Sequence, residues 1–300
     1  MPQNLRSLKS RIRTAKNIAQ LAKTLEMVSV AKIRRARGLA ETVRPYAERI
    51  TSLGDTALRS IAPGEFVHPY LGQLKTGTDG NRPPGGSRLL LVIGPDRGLC
   101  GPLVSNLVRR MFEEDSPDTQ LITVGKRVGV TAARLAGSRL VASFPVGSRL
   151  PEYSLVYDLV LTINSHILAG RASRLDVLYT RFVSYFTQVP TLDRVLPLAA
   201  SARAGEKPAP GEPESERPHT IEPDLPGLLE ALLPHYLEVR LFDAVMQAYS
   251  SEHGARMVAM QNAKKNALEI ADSFTLLYNK TRQERITNEI LDLANTGKRE

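Results

Sequence analysis

The chain has 300 residues, of which 42% are hydrophobic and 24% are charged, and its formal net charge is +9. This composition excludes an intrinsically disordered chain and is typical of a folded protein with one extended domain or two compact ones. Apolar runs stay well short of the roughly 18 residues that a membrane-spanning helix needs, so we expect no direct membrane insertion. The single cysteine, Cys100, excludes an internal disulfide.

Positive charge is concentrated in the first 60 residues, which contain 13 Lys or Arg and four Asp or Glu, whereas residues 61–300 contain 27 of each. Such a basic segment favours an acidic partner, whether a nucleic acid, a lipid surface or an acidic protein surface. Residues 1–25 have the composition of a mitochondrial presequence, with six basic and no acidic residues. Their apolar period runs on without a cleavage-like break, which predicts a structural helix.

The first predicted element is a long helix over residues 5–61. Mostly apolar residues, with Glu26, Ser29 and Gly54 as exceptions, recur at alternating steps of three and four, which is typical of a coiled coil. This heptad seam consists of Leu5, Leu8, Ile12, Ala15, Ala19, Ala22, Glu26, Ser29, Ile33, Ala36, Ala40, Val43, Ala47, Ile50, Gly54, Ala57 and Ile61. Pro45 is expected to bend or interrupt the helix.

A second apolar stripe follows the same helix on another side. It consists of Ile18, Leu21, Leu25 and Val28. One partner helix cannot cover both the heptad seam and this second stripe, so a further surface is expected to cover the second stripe.

The middle of the chain alternates predicted strands and helices between two segments, 63–87 and 199–224, whose Gly, Pro and charge content predicts flexible connections. Strands are expected at 88–94, 120–124, 140–144, 174–186 and 191–196, and helices at 103–112, 128–136 and 153–169. This alternation predicts a central α/β domain over residues 88–198, Rossmann-like, with a mixed, mainly parallel sheet.

The last predicted element is a helix over residues 226–293, within a helical region spanning 225–300. Alanines at every fourth position from 255 to 271 allow a second helix to approach closely. The simplest pairing is antiparallel, with the helix of region 1–62. The predicted fold class is therefore α/β, with a long antiparallel coiled coil of the terminal helices projecting from the central domain.

A glycine-rich run, DRGLCG at residues 96–101, follows the first strand and precedes a helix, where backbone amides often bind phosphates. The spacing of Gly94, Gly98 and Gly101 differs from a dinucleotide-binding turn, and no Gly-Lys-Ser or Gly-Lys-Thr follows. A tight turn that aims the helix is the favoured interpretation. A nucleotide-binding enzyme stays as a third hypothesis.

Other candidate chemistry is sparse. The five histidines show no metal-ligand spacing, and no nucleophile is paired with a base, so we predict no catalytic residue, no cofactor and no metal. Cys100 is expected to be an inert buried residue. The acidic run at 113–115 is expected to be a solvated helix end.

Three separated motifs carry a family resemblance. They are residues 11–17 with 23–32 and 34–36, DRGLCG at 96–101 with 105–107, and residues 251–257 with 262–263 and 276–287. In sequence and in order, they resemble the gamma subunits of F-type ATP synthases over most of the chain. The resemblance implies a non-catalytic central-stalk rotor subunit. Such a subunit couples proton flow through the membrane rotor ring to conformational change at the catalytic sites on the beta subunits during ATP synthesis.

The resemblance also implies partners and contact residues. The implied partners are the alpha and beta subunits of the catalytic head, the epsilon subunit and the membrane rotor ring, with no nucleic acid. The residues implied at the contact with beta are Leu25, Glu26, Lys32, Arg34, Arg35, Arg282, Gln283 and Thr287. The family's signature turn maps to Asp96, Arg97, Gly98, Cys100 and Gly101.

The implied location is the cytoplasmic side of a bacterial cell membrane, as a peripheral protein. One cysteine leaves no room for the redox-switched pair of the chloroplast type, and no separate transit peptide is predicted. This chain has Gly101-Pro102 and Val104 where family members commonly have Gly-Gly and Asn.

A nucleic-acid-binding coiled coil is the alternative from another class. Basic helices joined to coiled coils bind the DNA major groove. Here, however, the basic residues surround a heptad seam that continues through the basic region, whereas DNA-binding helices separate the basic segment from the zipper.

Overall fold

The computed structural model describes residues 5–60, 68–71, 87–147, 149–198 and 224–296. The chain divides into two compact units, one of Met1–Ala31 with Arg256–Glu300 and one of Lys32–Ala255. We call them the helical unit and the sheet unit. Residues 199–223 of the predicted connection 199–224, and most of the predicted connection 63–87, lie outside the described residues.

Helix α1 spans Leu5–Ser60 and helix α5 spans Leu225–Thr296, and each contributes to both units. The elements between them are β1 (Ser87–Ile93), α2 (Leu103–Glu114), β2 (Thr119–Val124), α3 (Lys126–Ala136), β3 (Leu140–Phe144), α4 (Tyr153–Ile167), β4 (Ala172–Phe182) and β5 (Gln188–Leu196). Each predicted element is present. The strand predicted over 174–186 was wrong at its end, because the Ser184 hydroxyl accepts the Thr187 amide at 3.0 Å and closes a turn before β5.

The sheet unit contains one five-stranded sheet in the order β3-β2-β1-β4-β5. The pairs β1–β2, β1–β4 and β2–β3 are parallel, and β4–β5 is antiparallel. This confirms the predicted mixed, mainly parallel sheet. The apolar run of β1 is buried on both faces, as parallel strands between helical layers require.

Two hydrophobic cores lie on opposite faces of the sheet. Leu90 and Val92 of β1 pack with α2 and α3, whereas Leu89, Leu91 and Ile93 pack with α4 and with the part of α5 that belongs to the sheet unit. Tyr70, in a short 3-10 turn at Pro69–Leu71, is buried in the second core. The sequence had not indicated a core residue within the predicted connection 63–87.

Arginines surround a buried carboxylate at the α2 face of the sheet. Asp176 of β4 is inaccessible to solvent and lies 2.5 Å from Arg88 Nε and 2.7 Å from an Arg174 guanidinium nitrogen. Arg88 also pairs with Glu114 at 3.1 Å, and Asp115 pairs with Arg139 at 2.6 Å. The expectation that 113–115 is merely solvated was therefore wrong for two of its residues, because the sheet brings arginines from other elements to them.

Within the sheet unit, α1 packs antiparallel on α5. Ala36 of α1 clusters with Met246 and Tyr249 of α5, while Gly54, later in α1, faces the ring of Tyr236, earlier in α5. Helix α1 continues through Pro45, so the expected interruption is not present.

The helical unit is an antiparallel pair as well. The Arg11 guanidinium lies 5.6 Å from the centre of the Phe274 ring, and Glu26 pairs with Lys264 at 3.4 Å. The buried residues in the described part of this unit are mostly small, and they are Leu8, Ala15, Ala19, Ala22 and Ser29 on α1 with Arg256, Met260, Ala267 and Ala271 on α5. Every buried residue in the described part of α1 lies on the predicted heptad seam.

Candidate functional site

The second stripe of α1 lies on the surface of the helical unit. Ile18 is 50% exposed, Leu21 61% and Val28 46%, while Leu25 is half-buried. Large apolar side chains in a row at helical spacing are typical of a surface that a partner covers.

Cations flank this stripe. The basic residues of α1 in the helical unit are all exposed, and they are Arg6, Lys9, Arg11, Arg13, Lys16 and Lys23. The acidic residue in the same stretch, Glu26, is neutralised by Lys264. The second stripe therefore lies in a field of positive potential, which favours an acidic partner surface.

The side chains near the end of α5 are also exposed to solvent. Residues 282–291 are all exposed, and they include Ile286, Ile290 and Leu291. Within this stretch, the Thr287 hydroxyl donates to the Gln283 carbonyl at 2.9 Å. Apolar and polar side chains here are available to a partner.

The predicted contact residues fall in both units. Leu25, Glu26, Arg282, Gln283 and Thr287 belong to the helical unit, and Lys32, Arg34 and Arg35 belong to the sheet unit. Arg34, Arg35, Arg282, Gln283 and Thr287 are exposed, whereas Leu25, Glu26 and Lys32 are half-buried. Their role in contacting another subunit stays a prediction.

The signature turn is organised by Asp96. Its carboxylate accepts the Lys126 amide at 2.8 Å, the Val146 amide at 3.2 Å and the Gly147 amide at 2.7 Å. Lys126 is the first residue of α3, so the carboxylate caps that helix and ties the loops after β1, β2 and β3 together. Sequence reasoning missed this role, although an aspartate in the turn that follows a buried strand was the available signal.

Close backbone packing explains the glycines beside the turn. A Cβ on Gly94 would lie 2.3 Å from Val128 Cγ2, and one on Gly125 would lie 2.0 Å from the Gly94 oxygen. Gly125 also has a φ of 105°, which few other residues adopt. These glycines are required by packing and turn geometry, which agrees with the favoured tight-turn interpretation.

Cys100 holds the signature turn against α5. It is 1% exposed and clusters with Leu103 and Ala255. The expected inert buried cysteine is confirmed as far as burial is concerned. Its neighbour Leu99 adopts a left-handed backbone with a φ of 63° and projects its side chain into solvent.

Two buried phenols in the sheet unit serve as structural hydrogen-bond donors. Burial raises the pKa of Tyr70 to about 12 and, together with a hydrogen bond to Asp193, that of Tyr179 to about 12. Tyr70 donates to Asn164, and Tyr179 donates to Asp193 at 2.8 Å. Both phenols therefore stay protonated at neutral pH.

The described residues contain neither a metal-ligand cluster nor a helix that could span a membrane. In the described ranges, no group of His, Cys, Asp or Glu side chains is arranged to hold a metal ion. Across the same part of the chain, no helix combines the length and apolarity needed to cross a bilayer.

Comparison with known proteins gives one consistent family. The sequence profile of the family described as ATP synthase matches residues 4–296. The ATP synthase gamma chain of Dehalococcoides mccartyi is 35% identical over 296 residues, covering 97% of each chain. That of Roseiflexus castenholzii is 36% identical over 296 residues, covering 96% of each.

Solved structures share the fold. A chain from the Euglena gracilis mitochondrial ATP synthase, solved with OSCP, F1 and the c-ring, superposes with a TM-score of 0.65 at 22% identity, covering 98% of this chain and 93% of the other. A rotor chain from the same organism gives a TM-score of 0.61 at 20% identity, with 94% and 98% covered.

Proposed function

The chain belongs to the family of ATP synthase gamma chains, the central-stalk subunits of F-type ATP synthases, and we propose that it is the non-catalytic rotor of such an enzyme. In this role it transmits rotation, driven by proton flow through a membrane rotor ring, to catalytic sites on the beta subunits. The chemistry of ATP takes place on those partners.

The exposed second stripe and its cations carry the proposal. A row of exposed apolar side chains beside exposed cations would complement a surface of the alpha and beta subunits that is apolar around α1 and acidic where force is transmitted. In the helical unit, Leu25, Glu26, Arg282, Gln283 and Thr287 would contact beta. In the sheet unit, Lys32, Arg34 and Arg35 would do so.

Further partners follow from the family. We assign the alpha and beta subunits to the paired helices α1 and α5, and the epsilon subunit and the rotor ring to the central α/β domain within the sheet unit. The protein would be held at the cytoplasmic face of a bacterial cell membrane through the rotor ring, without inserting into the bilayer.

Assembly with alpha and beta subunits tests the proposal. Co-expression with both is expected to yield a stable complex that hydrolyses ATP. Reversing two exposed cations, Arg34→Glu with Arg35→Glu, is expected to weaken assembly of the complex about tenfold and to lower ATP-driven torque, since two exposed charge contacts of roughly 0.7 kcal/mol each correspond to that factor in assembly.

A matched control has the same charge change elsewhere in the sheet unit. Arg109→Glu with Arg134→Glu alters two exposed arginines on α2 and α3. Equal losses in the two double variants would show that the contact assignment is wrong. Failure to form any complex would remove the rotor proposal itself.

Titration with duplex DNA addresses the nucleic-acid alternative. Weak binding that disappears by about 150 mM salt is expected of a merely basic helix. Tight, sequence-dependent binding at that salt concentration would favour the alternative instead.

A further inference from the structure

A groove with a volume of about 880 Å³ opens on the sheet unit. It lies between residues 37–48 of α1, the chain entering α4 at 151–153, and residues 238–247 of α5. We call it the helix groove. Its residues all belong to the sheet unit.

The helix groove interrupts the burial of the heptad seam. Seam residues before and after it, Ala36 and Ala57, are 1% and 3% exposed. Between them Ala40 is exposed and Val43 and Ala47 are half-buried, and all three line the groove. The heptad seam keeps its spacing of three and four here, but α5 covers it less completely than at Ala36 and Ala57.

The opposite wall repeats this spacing. Val239, Phe242 and Met246 of α5 line the groove at steps of three and four. Two such rows facing one space form the cradle into which the ridge of a third helix packs. Exposed Tyr46 and Tyr153 at its edges supply the aromatic surface that protein interfaces favour.

Charge at the helix groove is acidic, although the chain as a whole is basic. Its lining includes Glu41, Glu48, Glu152, Glu238 and Asp243, against Arg37 and Arg44. Glu48 is paired with Arg44 at 2.7 Å, and Glu238 is buried and accepts a hydrogen bond from Tyr153. The exposed carboxylates left at the groove are therefore Glu41, Glu152 and Asp243, against the single cation of Arg37, which lies 5.1 Å from the ring centres of Phe182 and Tyr185. An occupant with Lys or Arg beside its apolar stripe would complement this rim.

We propose that the helix groove binds a basic amphipathic α-helix of a second protein. The apolar stripe of that helix lies between Val43 of α1 and Phe242 of α5, and its cations face Glu41 and Glu152. This inference does not rest on the rotor role, because none of the groove residues belongs to the predicted contact with beta.

The test uses the full chain and two labelled 18-residue helical peptides. Both carry Leu at heptad positions a and d; one has Lys and Arg at the remaining positions and the other has Glu. Fluorescence anisotropy is expected to show at least tenfold tighter binding of the basic peptide.

Two groove variants sharpen the test. Glu41→Lys with Glu152→Lys is expected to weaken binding of the basic peptide about tenfold, whereas Asp118→Lys with Asp158→Lys, an equal charge change at exposed sites outside the groove, leaves it within about twofold. Ala40 is exposed and lines the groove, so Ala40→Gln would occupy part of its volume and is expected to cause a similar loss of affinity for the basic peptide. Ala133→Gln, at an exposed site on α3, is its control.

Three results of the peptide experiments would overturn the proposal. They are equal affinity for the two peptides, equal losses in the groove and control variants, and unchanged binding by Ala40→Gln. A dimer of the chain alone that Ala40→Gln dissociates would also overturn it, because the occupant would then be a second copy. Circular dichroism of each variant establishes that its fold is intact.

Discussion

The helical unit and the sheet unit bury their residues in different ways. The sheet unit buries Leu, Ile and Val on both faces of a five-stranded sheet. The helical unit buries mostly alanines, such as Ala19 and Ala271, and leaves Ile18 and Leu21 in solvent. Alanine lets helices approach closely but contributes little apolar area. The sheet unit can therefore stabilise itself, whereas the helical unit keeps its larger apolar groups for a partner.

A cavity in the sheet core should have the largest effect on the isolated chain. Leu91 is fully buried in β1, so Leu91→Ala is expected to lower the free energy of unfolding by about 3 kcal/mol, within the usual 2–5 for such sites. Chemical denaturation followed by circular dichroism measures it. Leu21→Ala, at a 61% exposed leucine, is expected to change it by less than about 0.5 kcal/mol. Similar losses would abolish the distinction between the two units.

Overpacking the helical unit should have the next largest effect. Ala271 is 1% exposed, so Ala271→Leu is expected to force the two helices apart at a cost of about 1–3 kcal/mol. Hydrogen exchange would show faster exchange of α1 amides in the helical unit, with sheet amides unchanged. Ala133→Leu, at an exposed site on α3, is the control. Unchanged exchange in α1 would contradict the close pairing.

Asp96→Asn tests the signature turn. Asparagine retains one acceptor oxygen but loses the charge and places an NH2 group towards the Gly147 amide. Asp96→Asn is expected to lower the free energy of unfolding by about 1–2 kcal/mol, because charged hydrogen bonds contribute more than neutral ones. Thermal unfolding of this variant is compared with that of Asp118→Asn, at an exposed aspartate. Equal midpoints for the two variants would mean that Asp96 does not hold the three loops.

The smallest expected effect is on the stability of the chain at acidic pH. A hydrogen bond from the Arg139 guanidinium holds the pKa of Asp115 below its ordinary value. A lowered folded-state pKa contributes stability above the unfolded pKa, near 4, and that stability is lost as the pH falls through the folded pKa. The free energy of unfolding of the wild type should therefore exceed that of Asp115→Asn by about 1 kcal/mol at pH 7, because the ion pair is partly exposed. This difference should shrink below about pH 4. A difference that does not vary with pH would contradict this cause.

Local patterns predicted the elements well, because each depends on residues close in sequence. The heptad seam located the buried residues of α1, with exposed Ala40 as the exception, since the helix groove leaves that position uncovered. The arginines around Asp176 could not be predicted, because sheet register brings Arg88 and Arg194 to it from different strands. The amides around Asp96 belong to three loops that meet only at the carboxyl edge of the sheet.

A rotation assay tests the central claim most directly. The chain would be assembled with alpha and beta subunits fixed to a surface, and a bead attached through Ala169→Cys, an exposed site in the sheet unit. With ATP, the bead is expected to turn continuously in one direction, and the Arg34→Glu, Arg35→Glu variant is expected to turn with lower torque. ATP hydrolysis by an assembled complex whose bead stays still would contradict the rotor function.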